Sequence, residues 1–284
     1  MKTSTSKRLR WNVAIWLAAG LFMTSAAGMA AGPIMPDPKA EARHQPQVEE
    51  TANGIPLVNI TAPSSGGVSR NEYETFNVPD KGAILNNSYT LSKTELAGYV
   101  QGNNNMAERP AKIIVNEVTG AGSTSMDGFL EVAGNRADVV IANPNGITVN
   151  GGGFINTGKA FLTTGKPVYD GEDHLQRFDI TGGDILIEGK GLGGKETESL
   201  AILSRAVKIN AGIWAKDLHI TTGANTVDAK TLEASAIEGK GGRPAFALDT
   251  AAIGGMYAGR ITLVGTEKGL GVNNSGTWSA EDNL

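Results

Sequence analysis

The residues best suited to chemistry are few and scattered. Asp170-Gly171-Glu172-Asp173-His174 gathers carboxylates and an imidazole that could ligate a cation. A calcium loop of the EF-hand kind needs Asp-x-Asp-x-Asp-Gly and a distal Glu, and that spacing is missing, so the run reads as a solvated loop. Asp179, Asp184 and Glu188 lie near or on β-type runs. On a β-helix, paired carboxylates can cleave polysaccharides as acid and base. No matching base or arginine cluster accompanies them. Ser199 and Ser204 lack the Gly-x-Ser-x-Gly context of an activated nucleophile. Gly189-Lys190-Gly191-Leu192-Gly193-Gly194-Lys195 has the glycines of a phosphate loop but not the Gly-Lys-Ser/Thr that opens a helix, and reads as a flexible turn. Cysteine is absent, which excludes disulfides, zinc-thiolate and iron–sulfur sites and a Cys nucleophile. Three histidines, His44, His174 and His219, are too few for a multi-histidine metal centre. The residues point to no catalytic group, metal or cofactor.

The elements around these residues say more. Residues 1–31 have the three parts of a secretory signal peptide: basic Lys2, Lys7, Arg8 and Arg10, an apolar run Trp11–Met23, and small residues suited to cleavage. Removing them leaves 21 Lys+Arg against 29 Asp+Glu, a net −8 from the full chain's −4. Such a balance argues against nucleic-acid binding. With 40% hydrophobic residues the chain fits neither disorder nor a polytopic membrane protein. Residues 32–52, with Pro33, Pro36, Pro38 and Pro46 among polar neighbours, read as a flexible linker, and 53–284 as the ordered domain.

Within that domain short aliphatic runs alternate with Gly, Asn, Ser and Thr, consistent with 38 glycines and 21 asparagines. Lys112–Val118, Ala137–Ala142, Asp184–Glu188, Ala206–Asn210, Lys216–Thr221 and Arg260–Val264 are examples. Pairs two residues apart, Ile185/Ile187, Val207/Ile209, Leu218/Ile220 and Ile261/Leu263, mark inward faces. One helix is expected over Ser92–Val100, with Ser92 and Glu95 as a capping box. Asn/Gly turns, short strands and few aromatics favour a parallel β-helix. The spacing is uneven, 22 residues from Ile185 to Val207 but 11 from Val207 to Leu218, so a sandwich or barrel stays open on periodicity alone. A coil of about 22 residues gives roughly ten coils. Residues 54–110 are irregular enough to cap the N-terminal end, whereas no cap is evident over Gly276–Leu284, as in a piece of a longer solenoid or a poorly ordered end.

Asn143-Pro144-Asn145-Gly146-Ile147 is the most specific local feature, and its chemistry is that of a type I turn between two strands. The stretch Ile113–Thr164 around it closely resembles the secretion domain of two-partner secretion exoproteins, the family of filamentous haemagglutinins and contact-dependent growth inhibition toxins. The likeness extends to Gly82–Ser88 and Gly254–Arg260 and covers nearly all of 53–275. It implies an all-β fold, a right-handed parallel β-helix with an irregular N-terminal cap, and no catalysis. It further implies export through the periplasm and outer membrane of a Gram-negative bacterium to the surface. The partner would be an outer-membrane pore with periplasmic POTRA domains, the domain templating the remaining β-helix once outside. A longer protein would then meet a host or neighbouring cell. The alternative on such a fold is a polysaccharide-degrading enzyme. The resemblance assigns recognition or structure to Asn143–Ile147. The family's second motif, Asn-Pro-Asn-Leu, aligns with Asn103-Asn104-Asn105-Met106, where the turn-forming proline is lost. The Cys pair of many relatives is replaced by residues of Val149–Gly153.

Overall fold

Strands of three to seven residues bury little apolar surface alone, and stacking them gives each a neighbour above and below. In the computed structural model of the chain, which describes residues 32–107 and 109–283, the apolar runs form such a stack. The expected signal peptide lies outside the described residues. The chain begins with β1 (Ile34–Pro36), a 3-10 turn (Ala42–His44) and β2 (Gln47–Glu50). The first rung holds β3 (Pro56–Asn59), β4 (Val68–Phe76) and a single bridging residue, Val78. The second holds β5 (Ala83–Asn87), a hairpin of β6 (Ser92–Thr94) and β7 (Gly98–Val100), β8 (Ile113–Val118) and β9 (Thr124–Met126). The third is β10 (Phe129–Gly134), β11 (Ala137–Ala142) and β12 (Ile147–Val149). The fourth is β13 (Gly152–Ile155), β14 (Thr157–Thr163), an excursion of β15 (Lys166–Tyr169) and β16 (Leu175–Ile180), then β17 (Asp184–Ile187). The fifth is β18 (Leu192–Gly194), β19 (Ser199–Ser204) and β20 (Ala206–Ile209). The sixth is one long strand β21 (Gly212–Thr222), an excursion of β22 (Asn225–Asp228) and β23 (Ala234–Ala236), and β24 (Phe246–Thr250). Then follow β25 (Gly255–Gly265), β26 (Gly271–Asn274) and β27 (Thr277–Asn283).

Three parallel faces result. The first runs β3-β5-β10-β13-β18 and the second β4-β8-β11-β14-β19, and the two fuse in β21 and β25. The third runs β9-β12-β17-β20-β24-β26. Each rung places like residues over like. One inward column is Ile114, Val139, Ala160, Leu200, Leu218 and Ile261. Another is Ile147, Ile185, Val207 and Leu248. All belong to one buried core. Ile185 pairs Val207, so the 22-residue spacing is one full rung. Leu218 lies on the second face rather than the third, which accounts for the 11.

Three expectations need correction. Ser92–Val100 is a hairpin, not a helix. Gly98 adopts φ 71°, and the tip amides of Glu95 and Leu96 donate to the Glu131 carboxylate at 2.7 and 2.9 Å, so a tertiary anchor replaces the capping box. Residues 32–52 are not merely linker. β1 and β2 run antiparallel to β4 and β3 and close the first rung, with His44 buried. The rungs number eight on the first face rather than ten, because excursions consume chain. Phe129 pairs Gly153 and Gly193 pairs Trp214, spacings of 24 and 21, but Gly153 pairs Gly193 and Trp214 pairs Tyr257, spacings of 40 and 43. Leu263 lies in register with buried Ile220, Ile202 and Leu162, on the inward face expected for it.

The excursions form a separate antiparallel sheet, β15-β16-β22-β23. It covers the outer side of the second face, where Phe178, Ile180 and Val227 bury Val140, Phe161 and Leu203. Each such side chain contributes about 1.5–3 kcal/mol on burial. A charged cluster ties this sheet to the cap. Arg70 lies 2.8 Å from Glu72 and 3.5 Å from Glu117, with its guanidinium 4.4 Å from the Tyr169 ring centre. Asp173 of the β15–β16 loop pairs with Arg43, and His44 Nδ1 is 3.0 Å from Glu72. Burial raises the Glu117 carboxyl to about 7 from its ordinary 4.5, against the pull of Arg70. A carboxyl with a higher pKa folded than unfolded favours the fold fully below 4.5 and loses that contribution as pH rises through about 7. Glu117→Gln should therefore gain melting temperature relative to the parent between pH 5 and pH 8. A difference between the two that stays constant across that range would contradict this.

Candidate functional site

Corners between strands leave backbone groups that no ladder pairs, and buried ones need partners. The Asn143–Ile147 segment solves this at the corner between β11 and β12. Asn143 is fully buried. Its Nδ2 donates to the Gly122 carbonyl at 2.9 Å and to Thr124 Oγ1 at 3.0 Å. Its Oδ1 accepts the Asn145 N–H at 2.9 Å, and its carbonyl accepts the Gly146 N–H at 3.0 Å, closing the turn. Asn145 Nδ2 reaches the Gly120 carbonyl at 2.8 Å. Gly146 has φ 110°, and a Cβ there would stand 3.0 Å from the Asp184 carbonyl of the next rung, so a side chain is unwelcome twice over. Ile147 drops into the third-face column. Pro144 and Asn145 face outward.

The second motif repeats this arrangement without its proline. Asn103 is 2% exposed, and its Nδ2 donates to the Ile60 and Asn86 carbonyls at 2.9 and 3.0 Å. Its Oδ1 accepts the Asn105 N–H at 2.9 Å, and its carbonyl accepts the Met106 N–H at 3.1 Å. Asn105 Nδ2 reaches the Ile60 carbonyl at 3.1 Å, Asn104 is exposed, and Met106 enters the core. The two asparagines therefore define the turn, and the proline only pre-sets it.

The other candidates do structural work where they lie. Asp170 Oδ1 accepts the N–H groups of Glu172 and His174 at 2.9 and 3.0 Å, and those backbone donors hold its carboxyl below the usual range. Asp179 pairs with Arg177, and Ser204 Oγ donates to the Ala206 carbonyl at 2.9 Å. Gly189–Gly191 make a corner closed by the Gly191 N–H on the Glu188 carbonyl. Asp184 opens β17 and Glu188 follows its last residue. Residue-by-residue reading missed the interior asparagines. Asn71 and Asn116 face each other in β4 and β8, with Asn71 Nδ2 on the Val115 carbonyl and Asn116 Nδ2 on that of Val140. Asn86 Nδ2 donates to Asn59 Oδ1 at 2.8 Å. The recurring Asn-Glu of 71–72 and 116–117 was the available signal.

A parallel β-helix closed at its first rung by antiparallel strands, with buried asparagines at its corners, is the architecture of a capped β-solenoid domain. The TPS secretion domain family matches residues 33–284, and the chain belongs to that family. It is 47% identical over 245 residues to a Toxin CdiA of Yersinia pestis, covering 86% of this chain and 7% of that protein. It is 48% identical over 229 residues to a 16S rRNA endonuclease CdiA of Enterobacter cloacae, covering 80% of this chain and 7% of that protein. The solved filamentous hemagglutinin secretion domain superposes with a TM-score of 0.78 at 34% identity, covering 88% of this chain and 84% of that one. The chain thus spans a small fraction of its toxin relatives and nearly the whole of the solved domain. Its role is that of a secretion domain of CdiA- and haemagglutinin-type exoproteins, not of a polysaccharide-degrading enzyme.

The matched turns make a stability prediction. Asn143→Ala and Asn103→Ala should each cost about 1–3 kcal/mol per buried group left unpaired. Pro144→Ala should cost only about 0.4–1 kcal/mol. Denaturant midpoints measure all three. A harmless Asn103→Ala would show that the second turn is not the equivalent of the first.

Proposed function

We propose that an outer-membrane partner pore receives this domain while it is extended, through periplasmic POTRA domains, and that the domain folds at the cell surface. The observation that carries this reading is the burial of the motif. Asn143 and Gly146 are inside and Ile147 is 2% exposed in the folded state. A pore that reads those side chains reads them before folding, and strand addition of an extended chain tolerates varied side chains. The net −8 of the chain beyond residue 31 supports electrostatic attraction to a basic receiving surface.

Once outside, the domain templates further rungs. Its strand pairing supports this. The first rung is sealed by antiparallel β1 and β2, with Pro33, Pro36 and Glu50 discouraging further pairing. Growth past the first rung is therefore blocked. β26 and β27 continue the parallel ladders of the rungs before them. The domain itself performs no catalysis in this reading. Any toxic or adhesive activity towards a host or neighbouring cell belongs to sequence outside it, as the nuclease names of relatives that the chain covers only to 7–8% suggest.

Export of the protein in cells with and without the cognate pore tests the reading. Release into the medium should require the pore, and equal release without it would refute the assignment. With the pore present, Asn143→Ala/Asn145→Ala should reduce release several-fold. Unchanged release would remove the motif from recognition while leaving the pore assignment intact.

A further inference from the structure

Three contiguous depressions of about 600, 540 and 490 Å³ run along the second face beside the excursion sheet. Adjoining depressions share Asp138, Lys159 and Glu198, so they form one groove that crosses the rungs from β8 to β25. At ~4.8 Å per strand, those six strands span ~24 Å. Its apolar surface comes from the part-exposed side chains of Ile113, Leu175 and Ala229, with Val140 and Phe161 buried beneath the excursion sheet. Its charges are unevenly spent. Asp138 accepts the Lys159 backbone N–H at 2.7 Å, Glu198 pairs with Arg136 at 3.1 Å, and Asp217 pairs with Arg260. Among the described residues, Lys112, Lys159 and Lys230 on its walls make no ion pair. Six Lys and Arg side chains line the groove against the three carboxylates Asp138, Glu198 and Asp217, so a chain of net negative charge presents a groove of net positive charge.

We propose that this groove binds an extended anionic polysaccharide, bearing carboxylate or sulfate groups. Its length suits a linear polymer laid across the rungs. The lysines would meet the anionic groups, while Ile113, Leu175 and Ala229 would meet sugar C–H faces. Hydroxyl and amide groups of Ser64, Asn135, Ser199, Thr231 and Thr262 line it and match sugar hydroxyls. An acidic peptide is the poorer occupant. The central floor strands β11, β14 and β19 are each paired on both sides, so they offer an extended peptide no free backbone edge. The assignment is independent of how the domain is exported.

Calorimetry of the purified protein with alginate, dextran sulfate, neutral dextran and poly-glutamate at 50 mM salt tests it. Alginate or dextran sulfate should bind, with affinity falling as salt rises, and neutral dextran should not. Lys112→Glu/Lys159→Glu/Lys230→Glu should weaken binding at least ~10-fold. The charge-neutral Lys→Gln triple should weaken it less while keeping the parent's melting temperature. Lys93→Glu/Lys208→Glu, on other faces, should leave binding unchanged. Absence of binding to both anionic polymers overturns the proposal, as does equal weakening by the control pair. Poly-glutamate bound as tightly through the same lysines would reassign the groove to an acidic peptide and overturn it too.

Discussion

The constraint on which this molecule rests is the backbone at its corners. A β-helix pairs its strands up and down the stack, but every bend leaves carbonyls and amides pointing sideways with no ladder partner. Buried and unpaired, each costs about 1–3 kcal/mol. Asparagine answers this with a donor and an acceptor on one short side chain. Asn143 and Asn103 each donate to groups of a neighbouring segment while accepting from their own turn. Asn87 does the same for a long loop, donating to the Ala111 and Asn135 carbonyls and accepting the Ala111 N–H. The apolar columns supply bulk stabilisation, while the asparagines fix where each bend occurs and so which residues enter a column.

This explains what could be read from sequence. Strands such as Ala137–Ala142 and Asp184–Ile187 were legible because alternating aliphatics flanked by Gly and Asn have one physical meaning. The first turn was legible because Asn-Pro-Asn-Gly satisfies local turn preferences. The second was half legible, since its function lies in Asn103 Nδ2 reaching Ile60 and Asn86, residues 43 and 17 positions away. The Ser92–Val100 hairpin was illegible for the same reason, its anchor Glu131 lying 36 positions from Glu95. Excursions hid the rung period: a 21-residue repeat interrupted by spacings of 40 and 43 does not register as a repeat.

The groove and the ionic cluster share an origin. Both arise because the excursion sheet stands on the second face and leaves a border with the bare rungs. On one side of that border Arg70, Glu117 and Tyr169 are pressed together and desolvated. On the other, Lys159 and Lys230 face open solvent across the groove. An insertion that only thickened the wall would have produced neither.

The pairing of the two excursions has a mechanical meaning. β16 leaves the stack at the fourth rung and β22 at the sixth, yet they pair along Arg177–Ile180 and Asn225–Asp228. They clasp across the fifth rung, which has no excursion of its own. A plain solenoid pulled from one end peels one rung at a time, loading a few hydrogen bonds at each step. Here tension reaching β21 meets a brace that spans three rungs. Those rungs must give way as one block, so the middle of the domain resists a pull that would unravel its far end.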